Sequence, residues 1–104
     1  NGLDPLDIID LYGADALRLY LLFKAPFEAD IQWETKGVED TARFLSKIFR
    51  FVDGRMATYD PDWENHIAFA EMTKADADLR RLTHQTIANV TKDVDAFGFN
   101  TYVS

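Results

Sequence analysis

The sequence predicts a mainly α-helical fold. Short helices come first in the chain, and an incomplete antiparallel helical bundle follows them. Apolar residues recur every three or four positions over most of the chain, which is typical of amphipathic helices. Proline and glycine lie between these stretches, where helices begin or end. Hydrophobic residues make up 47% of the 104 residues and aromatic residues 13%, more than a disordered segment contains. The chain is therefore expected to pack around a core.

The first helix is predicted to begin after Asp4 and to be short. The Asp4 side chain can accept a hydrogen bond from the first helical turn, and Pro5 fits the first helical position. Gly13 is expected to end this helix, and a second one follows over residues 14–24. Pro26 stops the second helix, because proline disfavours helical backbone at the residue before it.

An extended segment is predicted from Phe27 to Glu34, as either a short edge strand or an ordered loop. Apolar and polar residues alternate there, which is the period of a half-buried strand. A long helix with two apolar stripes then begins near Lys36 and weakens at Gly54. Residues 59–70 show no sustained period and are predicted to form a loop, held down by Trp63, Ile67 and Phe69.

The last long helix is predicted over residues 74–96, with Gly98 at its end. It has side chains for a buried seam, which are Leu79, Leu82, Thr86, Val90, Val94 and Phe97. Asn100 and Thr101 resemble the cap and first turn of one further helix.

The formal net charge of −7 argues against a free-standing nucleic-acid binder, because contacts to phosphates need clustered Lys and Arg. The long helix nevertheless carries Arg43, Lys47 and Arg50 at helical spacing, which we call the basic stripe. Two interpretations stay open for it. The stripe is either a contact surface for phosphates or a solvated helix face on which Glu39 pairs with Arg43.

Patterns that would carry chemistry on their own are missing from the sequence. It has no cysteine, and His66 and His84 stand too far apart for a zinc pair, so each is assigned a surface or capping role and no metal site is expected. No glycine-rich phosphate loop occurs. The carboxylate pairs fall at helix starts, where acids stabilise the helix dipole. No catalytic residue is therefore predicted, nor any segment that spans a membrane.

Three strings of the sequence, in this order and spacing, resemble the leucyl-tRNA synthetase family of bacterial and organellar type. They are NGLDPLDIIDLYGADALRLYLLF, DIQWETKGVEDTARFLSKIFR and HQTIANVTKDVDAFGFNT. In that family the KMSKS signature loop stands just before an Asn-Gly-Val-Asp-Pro segment, which residues 1–5 match except at Leu3. The resemblance implies a fragment that starts just after this loop. The first string is shared loosely by the valyl and isoleucyl enzymes.

The resemblance divides the chain into two parts. Residues 1–35 are similar to the C-terminal end of the catalytic domain, called the stem-contact fold, and residues 36–104 to the first part of a helical anticodon-binding-type domain. It implies that signature-loop support comes from four residues, Asn1, Asp4, Asp15 and Arg18. The basic stripe becomes a candidate tRNA-binding surface. From the residues alone, an exposed intrahelical ion pair is the favoured interpretation of Asp15 and Arg18, and the resemblance shifts the preference to loop support.

The resemblance also implies what the parent enzyme does. It would use ATP and magnesium to attach leucine to tRNA(Leu), in the cytoplasm or in an organelle. The fragment itself is expected to hold no cofactor, to be inactive, and to self-associate through apolar surface that the rest of the chain would cover. Two alternatives stay open, which are a free-standing helical module that binds a partner protein, and the same region of a valyl- or isoleucyl-tRNA synthetase.

Overall fold

The structure is a computed structural model that describes residues 2–26 and 28–104. Within those residues the regular elements are all helical, so the predicted mainly α fold is confirmed. The α-helices, in chain order, are α1 (Pro5–Tyr12), α2 (Ala14–Lys24), α3 (Thr35–Asp53), α4 (Trp63–His66), α5 (Lys74–Asp95) and α6 (Phe99–Val103). Single 3₁₀ turns, Met56–Thr58 and Phe69–Glu71, flank α4.

The junction of α1 and α2 forms as the sequence predicts. A carboxylate oxygen of Asp4 accepts the N–H of Leu6 at 2.9 Å and caps α1. Gly13 separates the two helices with a φ of 88°, which a residue without Cβ adopts at low cost. Its N–H donates to the carbonyl of Ile9 at 2.8 Å and closes the last turn of α1. The predicted cap at Asp4 and the predicted helix end at Gly13 are both confirmed.

The segment between α2 and α3 is an ordered loop. Ala25 has extended backbone, with φ −158° and ψ 164°, as expected for the residue before Pro26. Residues 28–34 contain a turn and irregular backbone but no strand. Phe27, the predicted start of the extended segment, lies outside the described residues. The loop form is favoured because a strand must pair its backbone with a neighbouring strand, and none forms in the described ranges.

The long helix predicted from Lys36 is confirmed as α3, and Gly54 follows its last residue. The stretch predicted as a loop instead contains the short helix α4 and the start of the 3₁₀ turn Phe69–Glu71, although no long element forms there. The predicted anchoring of this stretch is wrong, however. Trp63, Ile67 and Phe69 are 48%, 37% and 56% exposed, although the guanidinium of Arg80 on α5 lies 4.7 Å from the centre of the Phe69 ring.

The ends of α5 form in two different ways. At its start the hydroxyl of Thr73 accepts the N–H of Asp76 at 3.1 Å, while the Asp76 carboxylate accepts the N–H of Thr73 at 2.9 Å. At its end the helix stops at Asp95, and Phe97 rather than a glycine adopts a positive φ of 56°. The N–H of Gly98 then donates to the carbonyl of Asp93 at 2.7 Å. The further helix predicted after α5 forms as α6, but its N-cap is Gly98 and Asn100 lies within the helix, so the predicted cap role of Asn100 is wrong.

The hydrophobic core lies between α1, α2 and the first half of α3. The buried apolar side chains are at most 4% exposed, and they are Ile8, Ala16, Tyr20 and Val38. One polar residue, Thr41, is buried with them at 8% exposure. Partly buried side chains surround this cluster, namely Tyr12, Leu17, Trp33, Ala42 and Leu45. All of these residues belong to the first half of the chain.

The apolar seam predicted on α5 is not buried. Leu79, Leu82 and Val94 are 65%, 59% and 42% exposed. α5 packs on α6, α6 packs on α2, and α2 in turn packs on α1 and α3. No substantial contact joins α3 to α5 within the described residues. The two long helices therefore present apolar faces that do not meet, and the bundle is incomplete.

The shape of the molecule reflects this open packing. Its radius of gyration is 17.9 Å, whereas a compact chain of this length has a radius of about 13 Å. Its accessible surface is 8808 Å², against about 5,900 Å² for a compact monomer of the same mass. The chain is therefore less compact than a closed monomer of the same length.

Candidate functional site

The first candidate surface is formed by Asp15 and Arg18 on α2. A guanidinium nitrogen of Arg18 lies 3.1 Å from a carboxylate oxygen of Asp15, and the two side chains are 75% and 82% exposed. The structure therefore brings these two predicted residues together as an exposed pair. They lie on the rim of a hollow of about 480 Å³ between α2 and α3, which also includes Tyr12, Ala42 and Ser46.

The other two residues of the predicted loop-supporting set do not join this pair. Asp4 uses its carboxylate to cap α1. Asn1 lies outside the described residues.

The second candidate surface is the basic stripe on α3. Its three side chains are exposed and fall within an arc of about 60° around the helix axis, as 3.6 residues per turn require. Arg43 lies 3.6 Å from Asp40, and the Nε–H of Arg50 donates to the carbonyl of Ser46 at 3.4 Å. Lys47 forms no ion pair with the described part of the chain.

The stripe lies on the back of α3. The buried side chains of this helix, Val38 and Thr41, point roughly 180° away from it by the same helical geometry. The predicted pairing of Glu39 with Arg43 is not observed. Glu39 instead accepts a hydrogen bond from the hydroxyl of Tyr12 at 3.1 Å, which raises the pKa of Tyr12. Only one acid, Asp40, contacts the stripe in the described structure.

A third feature, which sequence reasoning did not single out, joins α2 to α3. The hydroxyl of Tyr20 accepts the N–H of Glu34 at 2.9 Å, and the hydroxyl of Thr41 donates to the carbonyl of Ala16 at 2.9 Å. Gly37 passes directly against the Tyr20 ring. A glycine inside a helical pattern is a sequence signal for close packing, and Gly37 is such a glycine.

A cleft beside Tyr20 holds an ion pair between the same two elements. Lys24 lies 2.5 Å from Glu34, which raises the pKa of Lys24 through their hydrogen bond. The cleft has a volume of about 450 Å³ and is partly apolar, with Phe23 and Phe44 on its walls. The Lys24 side chain is only 28% exposed, and the pair joins the end of α2 to the residue that precedes α3.

The histidines lie away from both candidate surfaces. His66 contacts Asp60 and, at 3.7 Å, Asp62 within the turn that leads into α4. Its side chain is 62% exposed, which confirms the predicted surface role. His84 is exposed on α5. Among the described helices, none is long and apolar enough to cross a membrane.

Comparison with known proteins gives one consistent result. Over its whole length the chain is 42% identical to a leucine–tRNA ligase of Synechococcus sp. (strain CC9311), 39% to that of Crocosphaera subtropica and 41% to that of Marinobacter nauticus. It spans 11% to 12% of the length of these curated relatives.

No protein-family model matches the chain, and no solved structure does. The similarity to the ligases, by contrast, covers 100% of the chain. The chain therefore corresponds, over its whole length, to one segment of the bacterial leucine–tRNA ligase family.

Proposed function

We propose that this chain is the part of a leucine–tRNA ligase that supports the signature loop and docks tRNA(Leu). The observation that carries the proposal is the 39% to 43% identity to such ligases over the entire chain. The whole enzyme would activate leucine with ATP and Mg²⁺ and transfer it to tRNA(Leu) in the cytoplasm. The residues of this segment form no nucleotide-binding motif, so they would act on the reaction by holding other parts in place.

The pair of Asp15 and Arg18 is proposed as the contact to the signature loop. Both side chains are exposed at the start of α2, so their remaining hydrogen-bonding groups are free to meet a neighbouring segment. Arg18 retains N–H donors beyond the one that faces Asp15, in a planar arrangement suited to carbonyl or carboxylate groups. A loop fixed by such contacts would be held in the geometry that leucine activation needs.

The basic stripe is proposed as the surface that docks the tRNA backbone. Its three cations point away from the core, and Asp40 is the acid that contacts them in the described structure. Arg and Lys side chains in one row can meet successive phosphates, which positions a nucleic acid without reading its sequence. The overall charge of −7 would confine tRNA contact to this local surface.

Docking can be tested in the Synechococcus enzyme with its matching stretch replaced by these 104 residues. In this chimaeric ligase we change Arg43, Lys47 and Arg50 together to glutamine. The KM for tRNA is expected to rise and its salt dependence to flatten, because each lost phosphate contact reduces the log–log salt slope, by about 0.9 where the nucleic acid is B-form DNA and about 0.7 where it is a single strand. Leucine activation, measured by pyrophosphate exchange, should be unchanged.

A matched control removes three positive charges from an exposed face of α5, namely Lys74, Arg81 and Lys92. This control produces the same change in net charge, so an effect of charge alone would appear in both variants. An unaltered tRNA KM and salt slope in the stripe variant would show that the stripe is a solvated helix face.

Loop support is tested separately by Arg18→Ala in the same chimaera. A misplaced loop loses contacts made chiefly in the transition state, so kcat for pyrophosphate exchange should fall more than the affinity for leucine or ATP. Arg81→Ala is the control, because Arg81 pairs with Asp78 at the same three-residue spacing and is 77% exposed. An unchanged kcat in the Arg18 variant would contradict the supporting role.

A second candidate function is a helical module that binds a partner protein, and the exposed apolar faces of α3 and α5 favour it. The chimaera discriminates between the two functions. Aminoacylation by the ligase that carries this segment unchanged would support the synthetase role. A chimaera that folds but does not aminoacylate would favour the interaction module.

A further inference from the structure

We infer that Tyr20 and Thr41 are positioning residues that fix the rotation and the axial register of α3 on α2. The consequence for tRNA docking rests on the proposed function, whereas the fixed geometry itself does not. The inference starts from two attachment points on each helix. Ala16 and Tyr20 are four residues apart on α2, and Gly37 and Thr41 are four residues apart on α3.

The first attachment point is the Tyr20 side chain, which is only 1% exposed. Its hydroxyl accepts the N–H of Glu34 at 2.9 Å and lies 3.5 Å from the carbonyl of Gln32, to which it donates. Glu34 is the N-cap residue of α3, where no side chain caps the helix. The tyrosine hydroxyl therefore binds the backbone at the start of α3.

Gly37 makes this attachment depend on register. A Cβ atom at residue 37 would lie 2.3 Å from Cε2 of Tyr20 and 2.8 Å from its Cδ2. Both distances are shorter than carbon atoms tolerate, so the ring fits only against a residue without a side chain. If α3 slid by one residue, Lys36 or Val38 would face the ring. The close contact therefore selects one axial position of α3.

The second attachment point is the Thr41 hydroxyl, one helical turn further along α3. Its oxygen lies 2.9 Å from the carbonyl of Ala16 on α2 and 2.9 Å from the carbonyl of Val38 on its own helix. A hydroxyl has one hydrogen, which these two carbonyls share. Thr41 is 8% exposed, so leaving its hydroxyl without a partner would be costly.

Together the two points prevent α3 from turning about its axis. A shift by one residue rotates a helix by about 100°, which would remove both hydrogen bonds and carry the basic stripe from the back of α3 to its flank. The fixed rotation therefore determines the direction in which the basic stripe faces, relative to Arg18 on α2. This coupling connects the two candidate surfaces through buried groups that touch neither ligand.

The geometry can be measured in the 104-residue chain, which has no native cysteine. Cysteines replacing Phe23 on α2 and Phe49 on α3, which are 48% and 72% exposed, carry spin labels for a distance measurement. Tyr20→Phe keeps the ring and removes only the hydroxyl, so it should still fold. Thr41→Val removes the second attachment.

Each change is expected to broaden the distance distribution or move its centre by up to about 8 Å, the displacement of a side chain when a helix turns by one residue. Tyr59→Phe and Thr83→Val are the controls, because Tyr59 is 63% exposed and the Thr83 hydroxyl bonds only within α5. Distributions that stay unchanged in both Tyr20→Phe and Thr41→Val would overturn the inference.

The consequence for function is measured in the chimaeric ligase. There both variants should raise the KM for tRNA by about fivefold, a loss equal to one ordinary hydrogen bond, with little change in leucine activation. Thr41→Ser, which restores the hydroxyl, should restore the KM. If the label distances change while the tRNA KM does not, the positioning role stands and docking by the stripe fails.

Discussion

Both halves of this chain are mainly helical, but they differ in how their helices are held. In the first half, α1, α2 and the start of α3 enclose all the side chains that are buried among residues 2–26 and 28–104, and hydrogen bonds join residues 25 and 27 positions apart. In the second half, α5 packs on α6, forms its ion pairs within its own length and has no buried residue. Local interactions therefore suffice to define a helix, whereas a fold requires its faces to meet.

The side-chain contacts of α5 illustrate the second case. Lys74 and Arg81 both pair with Asp78, at 2.7 Å and 2.6 Å, and the Thr83 hydroxyl donates to the carbonyl of Leu79 at 2.8 Å. Exposed pairs of this kind contribute about 0.3–0.5 kcal/mol each. Such contacts keep α5 helical but do not attach it to α3.

The largest expected difference between the halves is the loss in the free energy of unfolding when one side chain in each half is shortened to alanine. Tyr20→Ala should destabilise the first half by about 3–5 kcal/mol, as removal of a buried aromatic ring does. Leu82→Ala should cost less than about 0.5 kcal/mol, since Leu82 is 59% exposed. Urea unfolding can be followed in each half separately through Trp33 and Trp63, each retained alone in a single-tryptophan variant. Equal losses from the two changes would refute the contrast.

The second expected effect concerns the apolar face of α5. The accessible surface exceeds that of a compact monomer by about 2,900 Å², which is as much as a permanent interface buries. The 104-residue chain is therefore expected to self-associate, and Leu79→Gln with Leu82→Gln should weaken association at least about tenfold, because each buried leucine contributes about 1.5–3 kcal/mol.

Sedimentation velocity over a concentration series measures this association. His84→Gln with Lys92→Gln is the control, because these exposed residues lie on the opposite face of the same helix. A chain that stays monomeric at high concentration and melts cooperatively at high temperature would contradict the prediction.

The sequence was sufficient to predict the features that depend on neighbouring residues. Asp4 and Gly13 bound α1 as expected, and the period of apolar residues located both long helices. These signals are local, because caps and amphipathic faces need only the residues within one or two turns. The same signals could not show which faces meet. The seam on α5 has the correct period and yet stays exposed, since burial depends on a partner that no local pattern specifies.

The candidate site shows the same distinction between contacts that local spacing predicts and contacts between helices. The spacing of Asp15 and Arg18 predicted a pair, and the helical period predicted one row for Arg43, Lys47 and Arg50. The partner of Arg43 was predicted incorrectly. Glu39 lies one turn before Arg43, but Tyr12 from α1 takes its carboxylate, and Asp40 meets the arginine instead. A contact between helices overrides a favourable spacing within one helix.

The smallest expected effect is a pH dependence at the start of α5. The carboxylate of Asp76 accepts the backbone N–H of Thr73 at 2.9 Å and its hydroxyl at 2.8 Å, and these bonds lower the pKa of Asp76 from the ordinary value of 3.8. Because the folded pKa is the lower one, the contribution is fully present above pH 3.8. It is lost as the pH falls through the folded value, where Asp76 takes up a proton.

The helicity of α5, followed by backbone NMR shifts, should therefore decrease at its N-terminal end at acid pH. Asp76→Asn should remove most of this acid transition, because an amide does not titrate. Asp93→Asn at the other end of α5 should leave the transition intact. If Asp76→Asn titrates like the unchanged chain, the N-terminal cap contributes nothing measurable, and α5 would then depend on contacts outside its own sequence just as α3 does.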